Sequence, residues 1–294
     1  MKHNLYFCFF ILTFSLSVQA KSSVQLNAVN YPVWVVRNLQ VISLAPGTEL
    51  LQDDIVTTGN SGRAWISMQD GSVVKLGQNT KFEITAADFH QVQDASLLDA
   101  TFNVIKGAFR FTSGFFNTNF TSSHKVKITI GATTIGIRGT DIWGRSTETE
   151  DFITLLEGSI SVDTDVDAIA ILSEPLTAYR KLKDQPADPV YRLEVSQVQK
   201  LGAETELSFE RGIANIEGKF DLILMSLKNS NNAQKEIERF KLAGYAVKAE
   251  SQLINETVFT RVVLAGFKDN QSANNMSQQL LEEFKLQNIW IRKN

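Results

Sequence analysis

The sequence predicts an α+β chain of two units: an all-β unit first, then a smaller unit ordered βαββαβ. Three observations predict this. Between residues 30 and 165, short runs rich in β-branched residues alternate with turn signals every 8 to 12 residues. No helical period emerges before residue 165. Near the C-terminus, "DLILMSLKNSNNA" (221–233) returns forty residues later as "RVVLAGFKDNQSA" (261–273), so an apolar strand, a polar turn and an alanine-led helix start occur twice.

The chain opens on "MKHNLYFCFFILTFSLSVQA", with a basic start, an apolar run through Leu16, and Val18 and Ala20 as small residues before Lys21. The run is short for a membrane span, so residues 1–20 are expected to be a cleaved export signal, with an uncleaved anchor as the alternative. Cys8, the one cysteine, lies inside this segment, which leaves the mature chain without thiol chemistry or disulfides. Losing Lys2 takes 29 basic residues to 28 against 32 acidic ones, a net charge of −4. That balance supplies no field for nucleic acid or anionic lipid. The sequence contains no further candidate span.

Residues 21–165 read as the β unit. "VWVVRNLQVISL" runs into Pro46-Gly47, and "DDIVTTG" into Asn60-Ser61-Gly62. In "RAWISMQDGSVVKLG", Asp70-Gly71 separates two strand-like runs and predicts a type I′ hairpin turn. Further strands are expected at "KFEI", "ATFNVIKGAFRFTSG", "KVKITIGATTIGIRGTDIWGR", "FITLLEG" and "SISV", giving a sandwich or barrel-like domain. In Gly136-Ile137-Arg138-Gly139-Thr140 the glycines permit a bend within a strand. Arg138 is read first as a local fastener of carbonyls or of Asp141, and second as a recognition residue.

The phrases Asp54-x-Val56-Thr57, Asp70-Gly71-Ser72 and Gly136-x-Arg138-Gly139-Thr140, in that order, resemble the FecR-type periplasmic domain over roughly 130 residues. The resemblance implies signalling or envelope scaffolding and no catalysis. Transmembrane members carry a cytoplasmic segment ahead of a membrane helix. Only a signal peptide is expected ahead of this domain, so a direct anti-sigma role is not expected.

Residues 166–215 hold three of the five prolines (Pro175, Pro186, Pro189) and read as closing strands or a linker, with "EVSQVQKL" open to strand or helix. Residues 216–294 are clearer. Ala233, Ile237, Phe240 and Ala243 share one helical face that Gly244 ends, and Ala273, Met276, Leu280 and Phe284 share another with Ser272 as expected N-cap. "KFDLILMS", "YAVKAESQ", "VFTRVVLAGF" and "NIWIRK" supply the strands of a ferredoxin- or RNP-like sheet.

With Asn232-Ala233, Gly244-Tyr245, Arg261-Val262 leading into Gly266-Phe267, and Ala273 opening the second helix, this stretch looks like a SPOR domain. That resemblance implies binding to peptidoglycan glycan strands stripped of stem peptides. Alternation places Leu222, Leu224, Tyr245, Val247, Val262, Leu264, Ile289 and Ile291 under the helices. Asp221 and Ala246 are placed on the open face, together with the candidate glycan-binding set Ile223, Met225, Lys248, Arg261, Val263, Trp290 and Arg292. An indole can cover the C–H face of a sugar while cations donate to its hydroxyl and acetamide oxygens. Where the family often has glutamine and a glycine-proline pair, this chain has Ile223 and Ala265-Gly266, so an apolar surface that docks an envelope protein is the alternative.

Nothing points to an enzyme. His90 and His124 are isolated, Asp53-Asp54 lacks the spaced oxygens of a calcium loop, and no HExxH, GxSxG or P-loop occurs. No cofactor and no metal are expected. The reading is an exported, non-enzymatic periplasmic envelope protein that binds glycan through its C-terminal unit, with cell division as its expected setting. The alternative is a signalling or adaptor protein.

Overall fold

The computed structural model describes residues 24–92, 95–114, 125–164 and 168–294, without the side chains of residues 90–92, 95–97, 125 and 138. The expected export signal, Cys8 and His124 therefore lie outside the described residues, as do the side chains of His90 and Arg138.

The first unit contains β1 (Val24–Asn30), β2 (Val33–Arg37), β3 (Gln40–Ser43), β4 (Ile55–Thr58), β5 (Arg63–Met68), β6 (Val73–Leu76), β7 (Lys81–Val92), β8 (Ala95–Thr112), β9 (Lys125–Ile130), β10 (Thr133–Ser146) and β11 (Glu150–Thr164). After these come β12 (Ala170–Leu172), β13 (Thr177–Leu182), β14 (Tyr191–Arg192), helix α1 (Val195–Thr205) and the two-residue β15 (Ala214–Asn215). "EVSQVQKL" is thus the start of a helix. Trp143, Phe152 and Ala178 form a small core beneath it, with Val198 and Leu201 packed on top.

Three long strands belong to two sheets at once. The first part of β8 pairs with β7 and β9, and from Gly107 onward it pairs with β10 and β6. Strand β10 pairs with β9 through Ile137 and with β8 from Asp141. Strand β11 pairs with β13 through Thr154 and with β12 from Ile160. Each strand changes partner at a left-handed glycine: Gly107 (φ 94°), Gly139 (φ 60°) and Gly158 (φ 89°). Only glycine takes such angles freely, so these residues are corners. "FITLLEG" and "SISV", expected as two strands, are one strand bent at Gly158. The two sheets face each other over a single core that includes Leu26, Ile66, Phe109 and Phe111 from one and Val35, Phe82, Phe102 and Ile128 from the other.

The Asp70-Gly71 turn differs from the expected type. Gln69, Asp70 and Gly71 connect β5 and β6, Gly71 N–H donates to Met68 O (3.0 Å), and of these residues only Gly71 is left-handed (φ 85°). Asp70 fixes the turn instead by accepting from the Ser72 N–H (3.0 Å) and hydroxyl (2.6 Å). A side chain that closes its own turn makes the three-residue connection competitive with the two-residue one.

The second unit contains β16 (Phe220–Leu227), α2 (Ser230–Leu242), β17 (Lys248–Ile254), β18 (Thr257–Phe267), α3 (Asn270–Phe284) and β19 (Trp290–Lys293). Its sheet runs β19–β16–β18–β17, every neighbour antiparallel. Asn229 caps α2 by accepting from Asn232 N–H, and Asp269 caps α3 by accepting from Ser272 N–H (2.7 Å). Ser272, expected as the cap, is instead a buried residue of the first turn. Asn229 and Asp269 are equivalent positions of the internal repeat, so both halves start their helices alike.

The units share one hydrogen-bonded seam. Strand β15 pairs with β1 on one side and, through Ala214 and Phe267, with β18 on the other. The fully buried Asn30 side chain donates to Ser208 O (2.9 Å) and Gly212 O (2.8 Å) and accepts from Ser208 N–H (2.7 Å). Trp34 Nε1 donates to Leu242 O, and Val33 N–H to Gly244 O, both at 3.1 Å.

Two substitutions test this account. Gly158→Ala places a Cβ against the Gly139 carbonyl at a left-handed position. It is expected to cost about 2–4 kcal/mol in urea unfolding; a loss below about 0.5 kcal/mol would show that the corner does not need glycine. Asn30→Ala leaves three backbone groups without their partner and should cost about 2–3 kcal/mol, whereas a neutral result would mean the seam is held elsewhere.

Candidate functional site

The face of the second sheet opposite α2 and α3 is built from one cross-strand row. Lys248, Val263, Ile223 and Trp290 stand side by side on β17, β18, β16 and β19. Trp290 is 55 % exposed, and Lys248 is exposed beside the row's far end. Arg261 lies one row away, opposite Glu250, and donates to Gln252 Oε1 (3.3 Å).

Ile223 and Val263 are not an exposed apolar patch. They are 7 % and 0 % exposed, although no helix lies on their face. The cover is ionic. Arg292 starts on edge strand β19, donates to Asp221 on β16 (2.7 Å), and reaches Glu250 on the opposite edge strand β17 (2.7 and 3.1 Å). Lys248 Nζ lies 3.1 Å from the same Glu250 carboxylate. A side chain joining one edge to the other must pass over the central strands, and this places Ile223 and Val263 under a polar roof.

Met225 also departs from expectation. The ladder slips between Ile223 and Met225, so Met225 pairs with Val262 and packs, half-buried, against the helix-side core. A bulge inserts one residue and reverses the alternation beyond it. Ala246, expected outside, likewise packs against that core. Leu222, Leu224, Tyr245, Val247, Val262 and Leu264 are buried in the core as expected, with Ile289 and Ile291 packed against it.

Two organisers of the face escaped sequence reasoning: Glu250, and Asp221 as a partner of Arg292. Asp221 is 1 % exposed and also accepts from Gly266 N–H (3.1 Å). Alternation from Lys248 would have put Glu250 on the same face, but a contact across four strands has no local signature. The Arg292 and Lys248 hydrogen bonds hold the Glu250 carboxyl down from 4.5 to about 2, against the opposing effect of burial. Glu250 and Asp221 in turn hold the Arg292 guanidinium above its ordinary value.

Asp54 and Asp141 of the first unit have structural partners in this geometry. Asp54, buried, accepts two hydrogen bonds from Arg37 (2.8 and 2.6 Å) and one from Leu51 N–H (2.7 Å). Asp141 takes a two-pronged bond from Arg110 (2.9 and 2.6 Å), which gives it a partner other than the expected Arg138. Among the described residues no group of three or more metal-ligating side chains occurs, and no helix is long and apolar enough to cross a membrane.

Residues 54–161 match the family model FecR protein, and residues 217–288 match the model SPOR domain. The chain carries a FecR domain followed by a SPOR domain. The FecR match begins at Asp54 and spans the Asp70 turn and all three glycine corners. The SPOR match covers Ile223, Lys248, Glu250, Arg261 and Val263, while Trp290 and Arg292 lie on the strand just beyond it. Two crystal structures of a candidate anti-sigma factor from Parabacteroides distasonis align over 82 % of this chain and 99 % and 98 % of theirs, at 11 % and 9 % identity. Their TM-score is 0.38. No curated protein matches the chain.

The ionic roof makes a signed prediction. A carboxyl depressed in the folded state adds stability above its unfolded value and loses it as pH falls through the folded one. The wild type should therefore shed, between pH 4.5 and about 2, a stability increment that Glu250→Gln lacks. Parallel denaturant midpoints for both proteins across that window would show that Glu250 is not held by Arg292 and Lys248.

Proposed function

We propose that this is an exported, periplasmic, non-catalytic envelope protein whose SPOR domain, a ferredoxin-like sheet, binds peptidoglycan glycan strands stripped of stem peptides. The FecR domain serves as scaffold or partner-binding module. The observation that carries the reading is the exposed Trp290 indole at one end of a row whose other end is Lys248, over a floor roofed by ions. An indole covers a sugar's C–H face, and Lys248 and Arg261 have donors for hydroxyl and acetamide oxygens. Because Arg292 roofs Ile223 and Val263, the face offers a polar ligand more than an apolar protein surface would require. This favours glycan over the adaptor reading, in which the same face docks another protein.

The test uses the mature chain entire, since β15 ties its two domains together. The protein is co-sedimented with intact sacculi and with sacculi freed of stem peptides by an amidase. Stronger pelleting on the treated batch is expected, weakened about tenfold by Trp290→Ala, a difference of about 1.4 kcal/mol. Equal pelleting on both batches, with the variant indistinguishable, would remove the glycan reading.

A further inference from the structure

A groove of about 790 Å³ lies between α1 and the outer face of the FecR domain. Leu156, Leu176, Val195 and Val198 give it an apolar lining, and Arg63 and Arg110 reach it from β5 and β8. It shares no residue with the glycan-binding face.

Two features of this groove cost the folded chain stability. The first is Arg63. Arg110 is matched by Asp141, and the neighbouring Glu206 is held by Lys75 (2.7 and 2.8 Å). Arg63 has only a bond from Nε to the Glu204 carbonyl (3.2 Å), and among the described residues no carboxylate lies within ion-pair distance of it. Burial first, and then the neighbouring Arg211, pull its guanidinium below the ordinary arginine value, opposed by Glu204. The second is Leu176. It occupies the third position of a turn closed by Thr177 N–H on Glu174 O, with Pro175 before it, and its φ is +68°. Glycine or asparagine suits such a position, and a leucine there is strained by about 1–2 kcal/mol. Its side chain lines the groove and is not part of either core. Backbone bonds to Leu155 O and from Leu193 N–H (2.8 Å each) hold Leu176 at this angle, and they turn its side chain and the unmatched Arg63 toward one opening.

We propose that this groove docks an acidic segment of a partner protein that bears branched apolar side chains. Its carboxylate would give Arg63 the partner that the chain withholds, and its apolar groups would cover Leu156, Leu176, Val195 and Val198. Charge complementarity selects the occupant. The chain already lays Glu204 and Glu206 against this sheet face, through Arg145 and through Lys75 and Arg110, and among the described residues Arg63 is the cation here without a carboxylate. Val195, 58 % exposed, keeps the apolar wall accessible.

The test uses the mature chain, a fluorescein-labelled peptide alternating leucine and glutamate, and a control peptide with glutamine for glutamate. Anisotropy should report binding of the acidic peptide, weakened at least about tenfold by the control sequence, by Arg63→Gln and by Leu176→Gly. Methyl resonances of Leu156, Leu176, Val195 and Val198 should move on titration, while Trp290→Ala leaves the affinity unchanged. Both groove variants should keep or raise Tm, because one removes an unmatched charge and the other a strained φ. Three results would overturn the proposal: no binding, binding indifferent to Arg63→Gln, or a lowered Tm in both variants, which would give the two residues a structural role.

Discussion

The fold depends on three glycines that let three strands turn a corner together. Gly107, Gly139 and Gly158 sit where β8, β10 and β11 leave one sheet for the other. Their packing makes the constraint collective: a Cβ on Gly158 would strike the Gly139 carbonyl, and one on Gly107 would strike Thr80. Thr80 in turn bridges the Ala108 N–H and carbonyl at 3.1 Å, so the backbone groups that leave the ladder at the β8 corner are satisfied by a buried hydroxyl. With the corners in place both sheets bury their inner faces against one main core, and the smaller cluster around Trp143 seats α1 on the outside.

The same economy joins the domains. The two residues of β15 pair with β1 and β18, and Asn30 satisfies three backbone groups of the connector, so the SPOR sheet is bound to the FecR domain by main-chain geometry. Gly244 shows how tightly. It ends α2 with φ 88°, and a Cβ there would lie 2.6 Å from Pro32 and Trp34. A residue whose local duty is to stop a helix also sets how closely that helix approaches the neighbouring domain. The open SPOR face consequently holds a fixed direction relative to the groove beside α1.

Local periodicity made much of this legible. Helical spacing identified Ala233, Ile237 and Phe240 as a buried face, and the repeat foretold two equivalent helix starts. The errors arose where a single inserted residue or a distant partner decides. The slip after Ile223 sends Met225 to the helix side, and Arg292 reaching Glu250 buries two residues that alternation rightly set on the open face. Asp70-Gly71 was correctly a turn, but Asp70's bonds to Ser72 chose its class. Leu176 looks like an ordinary apolar residue in sequence, and only its backbone angle marks it.

Charge shows most clearly why composition alone could not locate function. Arg292 and Arg63 are equivalent in a count of basic residues. Arg292 is saturated by Asp221 and Glu250, so its work is to roof Ile223 and Val263 and to pin Lys248's neighbour in place. Arg63 is half-buried with one carbonyl to meet, and among the described residues no carboxylate pairs with it. A saturated arginine stiffens the surface that presents other donors, and an unsaturated one is itself the donor. On that distinction the proposed recognition at the SPOR face falls to Trp290, Lys248 and Arg261, with Arg292 as its frame, and that proposed for the groove falls to Arg63.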